Sequence, residues 1–131
     1  MFKNILLPVD GSELSDKATK VAIDLAKKLD STIIVLHVMD NKLIQPYEIL
    51  EEEGRVIINK TIKQIKKANV NYVKYMIYAN PHDDIRTIVR KSEVDLIIMG
   101  THGRTGIRKV LMGSIAQDTL KKTDIPVMLI K

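Results

Sequence analysis

The chain is predicted to be an α/β protein, an open parallel sheet with helices on both faces. Three observations predict it. Strand-like and helix-like stretches alternate in the order β-α-β-α-β-α-β-loop-α-β, and alternation of that kind means parallel strands joined by crossover helices. The inner strand-like runs, such as Ile5-Leu6-Leu7 and Leu96-Ile97-Ile98, are solidly apolar, as strands buried on both faces must be. A length of 131 residues suits one domain that can bury a sizeable core without staples.

Each element has its own signal. Asn4 to Val9 is a short apolar run that ends near Pro8 and reads as a buried strand. Asp10-Gly11-Ser12 is a turn, with Ser12 placed to cap a helix. Leu14, Ala18, Val21, Ala22, Leu25, Ala26 and Leu29 then recur at three and four, leaving Lys17, Lys20, Lys27 and Lys28 off the apolar face. Thr32 to Val38 is a second β-branched strand. A helix is expected over roughly 46 to 68, with Glu51-Glu52-Glu53 early and Lys63, Lys66 and Lys67 late, as the helix dipole favours. Gly54 counts against that helix. Val73, Tyr75 and Ile77 alternate with other residues, as in an outer strand. Asn80-Pro81-His82-Asp83-Asp84 has the cap, proline and acids of a helix start, and that helix should reach about Ser92. Val94 to Met99 is the fourth strand, Ser114 caps a short helix to about Lys122, and Ile125 to Ile130 is the fifth strand.

Bulk composition narrows the chemistry. There is no cysteine, which excludes disulfides, thiolate metal sites and cysteine nucleophiles. No leader pattern precedes the first strand, and apolar runs stop at about six residues, too few to cross a bilayer. A soluble, cytoplasmic protein is expected, with no membrane partner. The net charge is +5, which raises nucleic acid as a partner. Residues 1–99 nearly balance, however, with 15 Lys and Arg against 14 Asp and Glu, while residues 100–131 hold six against two. Aromatic residues are few: Phe2, Tyr47, Tyr72, Tyr75 and Tyr78. There is little to stack bases along a strand, and a local cationic excess suits a small polyphosphate at least as well as a duplex.

That excess borders the segment Met99-Gly-Thr-His-Gly-Arg-Thr-Gly-Ile-Arg-Lys-Val-Leu-Met-Gly-Ser-Ile115. It is not a Walker A loop, because no glycine is followed by Lys and then Ser or Thr. The dinucleotide fingerprint is also absent, since only Gly11 follows the first strand. Asp10, Ser12 and His102 have the residue types of a hydrolytic triad, but no G-x-S-x-G elbow accompanies them. His37, His82 and His102 are scattered over different elements, a poor pattern for a metal site. What remains is Gly100-x-x-Gly103, nine residues, then Gly113-Ser114. Bare N–H groups at the first pair, and a helix start at the second, can hold a polyphosphate from two sides. The same glycines also fit a mobile surface loop. Sheets of this class bind ligands beyond the carboxyl ends of the strands, where the strand order reverses. Asp10-Gly11 and the Gly100 segment both lie at such ends.

The spacing G-x2-G-x9-G-[ST], after a strand ending Ile97-Ile98-Met99-Gly100, resembles the nucleotide-binding class of the universal stress protein family. Ile5-Leu6-Leu7-Pro8-Val9-Asp10-Gly11-Ser12 and Ile125-Pro126-Val127-Met128-Leu129-Ile130 are similar to that family's first and last strands, and the resemblance runs the length of the chain. Asn80 stands where the family often has glycine before the proline, and the second strand-to-helix connection is short.

The resemblance implies one nucleotide-binding domain over 1–131, a Rossmann-like sheet of order 3-2-1-4-5 of the adenine nucleotide alpha-hydrolase type, and ATP between the first and fourth strands. On that resemblance, Val9 and Val38 border the adenine, Met99 and Gly100 flank the ribose, and Pro8 belongs to the same nucleotide-binding set. Asp10 lies near the ribose or a phosphate-bound Mg²⁺ (or Mn²⁺), while Gly103, Gly113, Ser114 and Ile115 hold phosphates and Arg104 adds charge. It further implies a homodimer through the edge strand 125–130, to which an apolar edge is open in any case. A nucleotide-dependent regulatory or stress-response protein is expected. The alternative is a slow ATPase or an adenylyl-transferring enzyme. Against it, only Asp10 and His102 stand as bases, and neither a Ser-Gly-Gly-x-Asp-Ser loop nor a His-x-Gly-His motif occurs. No catalytic residue is assigned.

Overall fold

A computed structural model describes residues 1–80, 85–103 and 114–131. Its elements follow the expected order: β1 (Asn4–Pro8), α1 (Glu13–Leu29), β2 (Thr32–Asp40), α2 (Tyr47–Lys67), β3 (Asn71–Ala79), α3 (Ile85–Lys91), β4 (Leu96–Gly100), α4 (Ser114–Lys122) and β5 (Val127–Ile130). The five strands are all parallel and lie in the order β3-β2-β1-β4-β5. The sheet has an apolar layer on each face. Ile5, Leu7, Ile33, Val35 and Ile98 pack with Ala18, Ala22 and Ala26 of α1 and Ile58, Ile62 and Ile65 of α2. Leu6, Ile34, Leu36, Ile97 and Met99 pack with Ile85 of α3 and Ala116 of α4. Alternate residues of one strand thus feed opposite layers, as the period of two requires.

Where boundaries move, local chemistry moves them. β4 starts at Leu96, two residues later than expected. Val94 is buried and its N–H donates to Val89 O, which still belongs to the end of α3. The Asp95 carboxylate accepts the N–H groups of Lys3 and Asn4, which pins the start of β4 to that of β1. β5 begins at Val127 rather than Ile125, since Pro126 has no N–H for the ladder; its carbonyl accepts from Ile97 N–H. β2 runs two residues past Val38 to Asp40. α4 is described from Ser114 onward, so the expected cap falls at the edge of the described residues. The start expected at Pro81 to Asp84 for the third helix lies outside the described residues.

Gly54 sits in mid α2 and is buried. A Cβ there would lie 2.8 Å from Met76 Sδ and 2.9 Å from His37 Cδ2. The residue that counted against the helix is what lets α2 settle onto β2 and β3. The outer strand is β3, as expected. Its Val73 and Tyr75 are 43% and 42% exposed, as an edge strand of the sheet permits.

The sheet separates where the order reverses, between β1 and β4. β1 pairs with β2 from Asn4↔Thr32 to Pro8↔Leu36, and Val9 N–H continues onto Leu36 O. Its pairing with β4 covers Ile5↔Leu96 and Leu6↔Ile97. Past Leu6 the chain follows β2, and a gap opens between the carboxyl ends of β1 and β4.

Candidate functional site

That gap is the mouth of a crevice of about 590 Å³. Of the eleven residues expected to bind ligand, Pro8, Val9, Asp10, Val38, Met99, Gly100, Gly103 and Ile115 line it. The backbone of Ser114 opens α4 at the same place. Arg104 and Gly113 lie outside the described residues.

The polar side is organised by the turn after β1. Ser12 caps α1, its hydroxyl oxygen accepting from Ser15 N–H at 3.1 Å. Ser12 N–H in turn donates to Asp10 Oδ1 at 2.9 Å, and Asp10 N–H donates to Ser15 Oγ at 3.3 Å. These bonds orient the Asp10 carboxylate across the gap. Gly103 meets it from the β4 side: a Cβ there would lie 2.8 Å from Asp10 Oδ2. A side chain at this position would require the Asp10 carboxylate to move aside. Thr101 Oγ1 and His102 Nδ1 are 3.0 Å apart at the same end, and Thr101 N–H donates to Ile130 O. Asp10, Ser12 and His102 all line the crevice, but the Ser12 oxygen serves the helix cap.

The other side is built mostly from carbon. Val9 and Val38 continue into Leu50 and Ile57 of α2, and Leu43 and Ile44 of the β2–α2 connection. His37 also lines it, its Nδ1–H donating to Val9 O at 2.8 Å. The fold thus brings His37 and His102, remote in sequence, to one crevice. Among the described residues no three His, Cys, Asp or Glu gather as a metal cage. The start of α2 is tied to the end of β3 by Tyr47 against Tyr78, edge to face at 5.2 Å. Partial burial first, and the Glu51 carboxylate second, hold the Tyr47 phenol above its ordinary range.

Sequence reasoning missed His37, Thr101 and the Leu43–Gln45 stretch. A signal for the last was present: an apolar pair inside a polar connector, Asp40-Asn-Lys-Leu-Ile-Gln-Pro46. Of the six cations in residues 100–131, Lys121 and Lys122 occupy the last turn of α4, at the far end of the sheet from the crevice. Arg104, Arg108 and Lys109 lie outside the described residues.

A five-stranded parallel sheet with a crevice at its reversal point defines an α/β protein of the open, doubly wound class. The chain matches the Universal stress protein family over residues 1–131, and it belongs to that family. Universal stress protein MJ0531 of Methanocaldococcus jannaschii is 32% identical, over 100% of this chain and 83% of that protein. Universal stress protein MJ0577 of the same organism is 29% identical over 100% and 96%. The solved structure of MJ0577 superimposes with a TM-score of 0.89, again covering 100% and 96% of the two chains. An Archaeoglobus fulgidus universal stress protein, solved in complex with dAMP, shares the fold at a TM-score of 0.77 and 22% identity, covering 100% of both chains. Among the described residues no helix is long and apolar enough to cross a membrane.

Proposed function

We propose that the crevice binds ATP, and that the protein is a nucleotide-dependent regulatory or stress-response protein rather than a turnover enzyme. One observation carries this: eight residues expected from the family resemblance converge on one crevice at the strand-order reversal. The residues present fit a nucleotide. The space that a side chain at Gly103 would fill lies beside Asp10, so backbone N–H groups can approach a phosphate there. Val9 and Val38 would border the adenine, with Pro8 beside them, and Met99 and Gly100 the ribose. Gly103, Gly113, Ser114 and Ile115 would hold phosphates, with Arg104 adding charge. Asp10, Asp40 and Glu53 give the described lining three carboxylates and no Lys or Arg. A polyphosphate there needs cations, and Mg²⁺ or Mn²⁺ on the phosphates near Asp10 would supply them. The dAMP bound by the Archaeoglobus relative supports an adenine nucleotide.

The same proposal includes a cytoplasmic homodimer. β5 is a sheet edge bonded to β4 on one side, and Met128 is exposed along it. Antiparallel pairing of two such edges over Val127 to Ile130 closes a two-fold dimer. Light scattering at micromolar concentration should give twice the chain mass; a monomer refutes the pairing. For the nucleotide, the purified protein should be denatured and the released compound identified, and ATP titrated with Mg²⁺ by calorimetry. Binding with turnover slower than about 1 per second is expected. Absence of any nucleotide affinity, or faster turnover abolished in Asp10→Asn, overturns the assignment.

A further inference from the structure

The connection between β2 and α2 is held at both ends and apolar in the middle. At its start, Lys42 N–H donates to Asp40 Oδ1 at 2.9 Å, Leu43 N–H to Asp40 O at 3.2 Å, and Asn41 N–H to Ala79 O at 3.1 Å. The Asp40 side chain therefore turns the chain over while β3 anchors it. At its end, Ile49 and Leu50 N–H groups donate to Pro46 O, and Tyr47 rests on Tyr78. Between these ties Leu43 is 51% exposed and Ile44 is fully exposed. Yet both line the crevice, at the end that Val9, Val38, Leu50 and Ile57 already make apolar. Two branched aliphatic side chains beside an apolar wall lose water-exposed area when an apolar group lies between them and the wall.

We propose, resting on the nucleotide assignment above, that Leu43 and Ile44 are base-positioning residues: held over the crevice mouth by the Asp40 turn, they cover the purine against the wall of Val9 and Val38. A purine is the occupant that fits: it presents two apolar faces, and the crevice lining joins aliphatic side chains such as Val9, Val38 and Leu50 with the Ser12 hydroxyl, the Asp10 carboxylate and the Gly100 and Gly103 backbone, the mixed chemistry that base, ribose and phosphate require. The affinity these residues contribute would be apolar burial, not hydrogen bonding.

The test is calorimetric titration of ATP with Mg²⁺ at several temperatures into the full chain, the double variant Leu43→Ser with Ile44→Ser, and the conservative variant Leu43→Met with Ile44→Val. Both positions are exposed, so the variants should fold as the parent does by circular dichroism. The double serine variant should bind ATP about tenfold or more weakly, with a less negative heat capacity of binding, the marker of lost apolar burial. The conservative variant should restore both. Parental affinity in the serine variant overturns the inference while leaving the nucleotide assignment intact. Weaker binding with an unchanged heat capacity also overturns it, as does a change in oligomeric state by light scattering with ATP affinity unaltered, which would make a second copy the occupant. A parent that binds no ATP removes the nucleotide assignment first, and this inference with it.

Discussion

β2 and α2 close one side of the crevice mostly with carbon, with Asp40 and Glu53 at its margin, whereas the turn after β1 and the end of β4 bring hydroxyls, the Asp10 carboxylate and glycine backbone. The carbon side is continuous with the core: Val9, Leu50 and Met39 are nearly fully buried. The polar side is a set of turns and helix starts, held by short-range bonds such as Ser12 to Asp10 and Ser15 to Ser12. Binding and stability should therefore separate differently on the two sides. A change on the carbon side ought to be felt in the fold as well as the ligand. On the polar side it should be felt mainly in the ligand.

The sharpest break of that contrast is Leu50→Ala. Leu50 lines the crevice and is 4% exposed. Truncation should cost about 2–5 kcal/mol of stability, measured by urea unfolding; a loss below about 1 kcal/mol would mean that the carbon side is not part of the core. Gly113→Val probes the polar side through the glycine motif. If two charge-assisted phosphate bonds are lost, at about 1.5–3 kcal/mol each, ATP affinity falls roughly a hundredfold or more while circular dichroism stays unchanged. Arg108→Ala, between the glycine clusters, should change affinity far less. Parental affinity in folded Gly113→Val would remove the motif from the site.

Smaller effects refine the comparison. Gly54→Ala gains about 1 kcal/mol of helix propensity, but the added methyl meets Met76 and His37. Overpacking of about 1–3 kcal/mol should win, lowering the melting temperature; a rise would show that Met76 and the His37 ring yield freely. Ser12→Ala removes the α1 cap and should cost about 1 kcal/mol, with weaker ATP binding if Asp10 loses its orientation. The smallest effect belongs to Lys28→Ala. Its ion pair with Asp24 is exposed on both partners, so denaturant midpoints should barely move, by less than about 0.5 kcal/mol.

Most of this architecture is legible in the chain itself because its signals are local. The apolar runs in β1, β2 and β4, the three-and-four spacing in α1, the Ser12 cap and the Pro126 limit on β5 each follow from a few neighbouring residues. The residues expected from the family resemblance also include eight that line the crevice. Three matters were decided only by the tertiary structure. Gly54, which argues against a helix in isolation, is required by how closely α2 approaches β2 and β3. His37 and His102 become neighbours of one crevice because β1 leaves β4 after Leu6↔Ile97, a register that no local pattern encodes. Leu43 and Ile44 stand out in sequence only as an apolar pair in a polar connector; their place in the crevice lining follows from how Asp40 and Ala79 bond the connection. Local propensity acts over a turn or a strand, whereas the distance between two backbones depends on every side chain packed between them.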